Sequence, residues 1–203
     1  MITTVYRTGQ MRVPNHSDYV LEHWTEFEAR RPEGHRSRSE VLFASPDLQG
    51  GHCWLYDGIV WSNRGHSEKT SFNEITVESD NVRVYNVDNY NNVGNHYGRP
   101  DREQIGYIHA YWENSMTLTE WNRNVGEDYY GKWEILLPES EVIHSRVVPY
   151  AELWKMYIEE GMDDDRIDAL ESLKPVLTLG QAGSFSSSTA DRLFTTRIVL
   201  ATT

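Results

Sequence analysis

Gly131-Lys132-Trp133-Glu134-Ile135-Leu136-Leu137-Pro138 is a short, strongly apolar stretch that carries one carboxylate inside it and ends at a proline. It reads as a strand, and four other stretches around the chain read the same way. Residues 3–7 alternate β-branched and aromatic side chains before Gly9, and residues 40–44 form a compact apolar run that stops at Ser45-Pro46-Asp47. Ile75-Thr76-Val77 and residues 82–87 flank the turn-like Ser79-Asp80-Asn81, as a hairpin or as a pair of core strands. Helical patterns stand between these strands without a regular strand–helix alternation, so the expected class is α+β.

The helices are marked by caps and periodicity. Ser17 can cap a helix whose Val20, Trp24 and Phe27 share one face. Ser45 as cap and Pro46 at the first helical position predict a short helix through residues 48–56, weakened by Gly50-Gly51. Asp101 can cap a helix with Ile105, Ile108 and Trp112 on one stripe. Pro149 opens a helix that packs Leu153, Met156 and Tyr157 inward and stops at Gly161, and residues 163–173 predict another. Residues 31–39 and 89–100 carry no periodicity and read as loops. The Gly/Ser/Thr-rich residues 180–189 read as a linker. The expected organisation is a domain over residues 1–178 and an extension over 179–203, in which residues 193–200 form an edge strand or a disordered end.

Composition narrows the function classes. One cysteine, Cys53, among 203 residues forbids an internal disulfide. No run of about 18 apolar residues exists, which excludes a membrane-spanning helix, and the first residues lack a secretory signal; the expected compartment is the cytoplasm. A net charge of −12 opposes broad binding to polyanions. The only basic cluster, Arg30, Arg31, Arg36 and Arg38, reads as a solvated loop or as a contact for a phosphate-bearing ligand. The histidines show no zinc spacing with cysteine, so no metal is expected. Asp163-Asp164-Asp165 reads as a charged helix start. Gly50-Gly51 lacks the Lys-Ser/Thr of a phosphate loop.

Glu134 poses the sharpest question. An unpaired charge buried in an apolar strand is expensive, yet strand alternation can turn the same side chain to solvent. Arg7 ends its strand beside Thr8-Gly9, where the absent side chain lets a ligand approach the backbone.

Four short motifs then occur in an order found in one family. Val5-Tyr6-Arg7-Thr8-Gly9, with Arg12 and Pro14 beyond, resembles the first-strand motif of ADP-ribosyltransferases of the cholera and pertussis toxin group. Leu42-Phe43-Ala44-Ser45 and the aromatic helix after it resemble the tyrosine–phenylalanine–alanine strand of the diphtheria-like and poly(ADP-ribose) polymerase branch. Residues 82–88 look like the mid-core strand, and Trp133-Glu134-Ile135-Leu136-Leu137-Pro138 looks like the late strand bearing the catalytic glutamate. The resemblance covers roughly residues 5–150.

That resemblance implies two small packed β-sheets with flanking helices, NAD⁺ as co-substrate in a cleft between them, and cleavage of the nicotinamide–ribose bond. Glu134 would stabilise the positive charge growing on the ribose. Arg7, with Thr8 and Gly9 beside it, would hold NAD⁺. Gly9 would offer backbone groups to the nicotinamide amide, and Ser45 would act near the ribose or support Glu134. Trp54, ahead of Tyr56, would stack on the nicotinamide ring. The implied activity is transfer of ADP-ribose to a macromolecule, a protein before DNA or RNA, of the kind used by toxins and phage effectors.

Departures qualify the match. The toxin group's serine–threonine–serine signature has no counterpart: Thr70-Ser71-Phe72 is nearest, and Ser186-Ser187-Ser188-Thr189 is out of order. Lys132 stands where arginine-directed transferases carry a second glutamate. Two alternatives follow: an NAD⁺-degrading glycohydrolase or phosphorylase on the same scaffold, and a non-catalytic acidic binding or inhibitor protein whose aromatics serve an interaction surface.

Overall fold

The computed structural model describes residues 1–9, 11, 21–60, 71–93, 99–124 and 132–182. Its strands are β1 (Ile2–Thr8), β2 (Leu42–Ala44), β3 (Phe72–Glu78), β4 (Arg83–Asn86), β5 (Met116–Thr117), β6 (Trp133–Leu137) and β7 (Val142–Val147). The helices are α1 (Leu21–Ala29), α2 (Leu48–Val60), α3 (Val87–Val93), α4 (Arg102–Glu113), α5 (Leu118–Asn124), α6 (Tyr150–Glu159) and α7 (Asp164–Ala182). The fold is α+β, with two sheets of orders β1-β3-β7 and β2-β6-β4-β5. All their strand pairs are antiparallel.

Side-chain alternation makes the layers. Val5, Ile75 and Val77 of the three-stranded sheet meet Leu42, Ala44, Val84, Ile135 and Leu137 of the four-stranded sheet in one buried cluster. The other face of the three-stranded sheet presents Tyr6 and Phe72 to Leu48 and Leu55 of α2, Leu153 and Tyr157 of α6, and Leu170 and Leu173 of α7. The other face of the four-stranded sheet presents Tyr85 and Leu136 to Phe27 of α1 and to Ile108, Tyr111 and Trp112 of α4. Strand β6 is covered on both sides, which explains why the consecutive residues Ile135, Leu136 and Leu137 are all apolar and buried.

The two sheets are joined at a bridge where Tyr6 N donates to Ser45 O (2.9 Å) and Ser45 N to Tyr6 O (2.6 Å). Helix α2 lies tight against this joint. A Cβ at Gly51 would sit 2.9 Å from both Phe72 Cζ and Tyr6 Cβ, whereas one at Gly106 meets nothing within 4 Å. Gly51→Ala is therefore expected to destabilise the fold by about 1–3 kcal/mol. Gly106→Ala on the open face of α4 should instead add about 1 kcal/mol of helix preference. Urea midpoints of the two variants check both signs.

Most helix starts follow their caps. Asp101 accepts from Gln104 N while the Gln104 side chain accepts from Asp101 N, closing a capping box. Asp163 accepts from Arg166 N (2.9 Å) at the head of α7, so the acidic triplet is a charged helix start. Pro149 precedes α6, Leu153 and Tyr157 are buried, and Gly161 turns the chain at φ +66°.

Several expectations are corrected. The cap of α2 is Asp47, whose Oδ1 accepts from Gly50 N at 2.6 Å, rather than Ser45, which is held in the bridge to Tyr6. Of the two alternatives for β3 and β4, the pair of core strands is found and the hairpin is not, because Ser79 between them is tied by N and Oγ to Met1 O and by Oγ to Thr119. Val87, expected as the end of a strand, and residues 89–93, expected as loop, belong to α3, capped by Asn86 Oδ1 accepting from Asp88 N (2.8 Å) and seated by buried Val87 and Val93. The expected loop at 31–39 runs into a 3₁₀ turn, Arg38–Glu40. Helix α7 continues through Ala182, across the expected boundary at residue 178 and into the expected linker. The first-helix residues Ser17 and Val20, and residues 183–203 with Ser186-Ser187-Ser188-Thr189, lie outside the described residues.

Candidate active site

Glu134 lies on β6, an interior strand, opposite Tyr85 of β4, and is only 2 % exposed. Ile135 and Leu137 turn toward the other sheet, so alternation turns Glu134 into the helical layer with Leu136. The cost of a buried carboxylate is met by Arg38. Its Nη1 donates to Glu134 Oε1 and also to Tyr111 Oη (2.7 Å), while the Tyr111 hydroxyl donates to the same Oε1 at 2.8 Å. Among the described residues nothing bonds Oε2.

Arg38 is itself fixed. Its guanidinium carbon lies 3.8 Å from the Tyr90 ring centroid and 4.6 Å from that of Phe43, a cation over two aromatic faces. Its backbone is anchored by Arg38 N donating to Glu28 Oε1 (3.3 Å) and by Ser37 accepting from Ser39 N. Burial pushes the Tyr111 phenol well above its usual range, so it stays protonated and remains a donor. The sequence reading assigned the Arg38 segment to a solvated loop or a phosphate contact; the residue is 5 % exposed and pairs with an acid. The signal was present: an acid inside an apolar strand demands a cation, and one basic cluster stood available.

The residues expected to hold the cofactor gather elsewhere. Val5 faces the other sheet while Tyr6 faces α2, so Arg7 shares the Val5 side and Thr8 the Tyr6 side. Arg7 Nη1 donates to Phe43 O at 2.6 Å, and burial lowers its pKa to about 10, which leaves it cationic at neutral pH. Thr8 Oγ1 donates to Gly51 O at 3.4 Å. Gly9 takes φ +93°, a conformation suited to glycine. Its N–H donates to Ser71 O at 2.8 Å, and its carbonyl accepts from Ser71 Oγ (3.0 Å) and Asn73 Nδ2 (2.8 Å). Both backbone groups of Gly9 are thus bonded within the fold.

Ser45 is fully buried, its Oγ has no hydrogen-bond partner among the described residues, and it faces the first turn of α2, where a Cβ on Gly50 would lie 3.2 Å from it. Trp54 is half-buried on α2, with Lys132 Nζ 6.0 Å from its ring centroid. It therefore reaches the start of the strand that carries Glu134. The side chain of Tyr56 lies outside the described residues.

The structure brings Arg7, Thr8, Gly9 and Ser45 together at the joint of β1, β2 and α2. It places Glu134 on the opposite face of the four-stranded sheet from Arg7. The space between the two sheets is filled by the packed core of Val5, Ile75, Ile135 and Leu137, so the expected cleft between the sheets shared by Arg7 and Glu134 is not found among the described residues. Edge strand β2 stands between them, and Phe43 touches both groups: its carbonyl takes Arg7 and its ring takes Arg38.

A further titratable group borders the acid's cage. His35 Nδ1 lies 3.3 Å from Tyr85 Oη, and its ring packs edgewise on Tyr85 and Trp112. Burial, then Arg83 and Arg31, lower its pKa from the ordinary 6.5. The unfolded chain thus takes a proton more readily than the folded one. The stability His35 contributes is full above the unfolded value and is lost as the pH falls below it toward the folded value. The melting temperature of His35→Gln, scanned from pH 7.5 to 5, is expected to fall less steeply than the parent's; parallel curves would refute the assignment.

No protein-family model, curated protein or solved structure matches this chain.

Proposed function

We propose that this chain is an NAD⁺-consuming ADP-ribosyltransferase that breaks the nicotinamide–ribose bond with Glu134 as its catalytic carboxylate. The observation that carries the reading is a paired, buried carboxylate on an interior strand with one oxygen unbonded among the described residues. The order of motifs along the chain and the split into two small antiparallel sheets support it. In the reaction the C–N bond to C1′ breaks, the electron pair leaves with neutral nicotinamide, and positive charge develops on the ribose. A carboxylate beside the sugar's hydroxyl stabilises that charge in a water-poor site. An acceptor nucleophile then bonds to C1′ and gives up its proton. The acceptor of the ADP-ribose is a macromolecule, with a protein ahead of nucleic acid for so acidic a chain.

Arg7 grips the cofactor's phosphates from the β1 side. Because Arg7 and Glu134 stand on opposite faces of the four-stranded sheet, a dinucleotide that meets both wraps the edge at β2, past Phe43. Thr8, Gly9 and Ser45 line the Arg7 end, and Trp54 lies toward the start of β6.

One observation favours a second reading. A guanidinium–carboxylate pair closed by aromatic rings is also what a structural ion pair looks like, and in that case the domain binds a partner without chemistry. The two readings part on one experiment. Incubation with NAD⁺ and chromatography of the products should show nicotinamide, and isotope from the adenylate should enter macromolecules of an added lysate. Arg7→Ala should raise the KM for NAD⁺ more than it lowers kcat. Nicotinamide without label points to hydrolysis; no nicotinamide above the blank overturns the enzymatic reading.

A further inference from the structure

We propose that Arg38 and Tyr111 are positioning residues that hold Oε1 of Glu134 so that Oε2 is the oxygen presented to the ribose hydroxyl; this rests on the reading of Glu134 as the catalytic carboxylate. An arginine that only neutralises a carboxylate commonly spreads its fork over both oxygens. Here the geometry is different. Arg38 Nη1 and the Tyr111 hydroxyl converge on Oε1, and they also bond each other at 2.7 Å, closing a three-membered ring of hydrogen bonds. Among the described residues Oε2 takes no bond.

The two donors come from separate elements whose positions are set independently. Arg38 sits on the 3₁₀ turn after α1, pinned by Glu28 and pressed between the Tyr90 and Phe43 rings. Tyr111 sits on α4, stacked on Tyr85 with ring centroids 5.0 Å apart and planes 18° apart, and flanked by Phe27 and Trp112. Neither can turn without disturbing packed rings, so the carboxylate's plane is set by the fold before any substrate arrives. Pre-set orientation is worth most in a transition state whose charge appears at one place.

The test uses Tyr111→Phe, which keeps the ring and removes one donor, and Arg38→Lys, which keeps the charge and removes the planar fork. Each lost charge-assisted bond is expected to lower kcat for nicotinamide release roughly tenfold or more, with KM little changed. The acid limb of the kcat–pH profile should move to higher pH, because a carboxylate with fewer donors holds its proton longer. Arg38→Lys should recover more activity than Arg38→Met. If Arg38→Met fails to fold, Tyr111→Phe still decides. Carboxyl carbon chemical shifts of isotope-labelled glutamate, assigned through Glu134→Gln, give a readout that needs no turnover: Glu134 should titrate at higher pH in both variants than in the parent. A parent that releases no nicotinamide sinks the enzymatic reading and with it the positioning role, while the titration still shows whether the clamp governs the carboxylate. A parent that turns over, with variants of unchanged kcat and unchanged acid limb, overturns the positioning role alone.

Discussion

Glu134→Ala is expected to lose about 3–5 kcal/mol of folding stability along with all measurable nicotinamide release, because it strands a buried guanidinium. Arg38 is 5 % exposed and wedged between two rings, so it cannot reach water without leaving the cage. Alanine therefore confounds two effects, and the separating variant is Glu134→Gln. The amide oxygen still accepts from Arg38 and Tyr111, the side-chain volume is kept, and only the negative charge is gone. Its stability loss should be smaller than alanine's, while nicotinamide release falls by roughly 10²–10³, the usual cost of removing one group aimed at a developing charge. Urea denaturation of both variants and timed nicotinamide assays measure the two effects separately. Release by the glutamine variant at the parent rate would remove Glu134 from the chemistry.

Trp112→Ala carries the second large effect. The indole is 1 % exposed and touches Phe27 and Tyr111 at centroid distances of 4.9 Å and Tyr85 at 5.7 Å. Its Nε1 donates to Phe27 O at 3.0 Å, tying α4 to α1. Truncation opens a cavity in the layer that supports Tyr111 and removes the Trp112 hydrogen bond to that carbonyl. The expected cost is about 3–5 kcal/mol, read as a fall in the urea midpoint at unchanged slope. Trp112→Phe fills part of the space but lacks the donor, so its loss should be intermediate. A Trp112→Ala midpoint within error of the parent would mean that this layer is not a support.

Where pattern and local chemistry agreed, the sequence was legible. Alternation at β1, the apolar run of β6, the cap at Asp101 and the proline before α6 each point to one structure, and each is found. Two strands carried no such signal. β5 has two residues, and β7 exposes most of its side chains at a sheet edge, so neither shows a buried stripe. The asparagines at 89, 91 and 92 read as loop because their side chains compete with the backbone, yet they lie within α3, which is capped by Asn86, a residue read as strand. Arg38 escaped for a different reason. Its burial depends on a partner 96 residues away, and nothing within its own loop specifies that pairing. Placing Glu134 was legible as a strand-borne acid; the face it takes was not, since that depends on which sheet covers which side.

Neither sheet can be completed from contiguous chain. β1 and β3 pair with each other, but β7 arrives only at residues 142–147; β2 waits for β6, which begins at residue 133. On the ribosome, the amino-terminal half therefore emerges with an open edge on β3, with β2 unpaired, and with the Arg38 cation lacking its acid. Folding so dominated by distant pairings is slow, and the nascent chain must remain uncommitted until β6 and β7, residues 133–147, have been made.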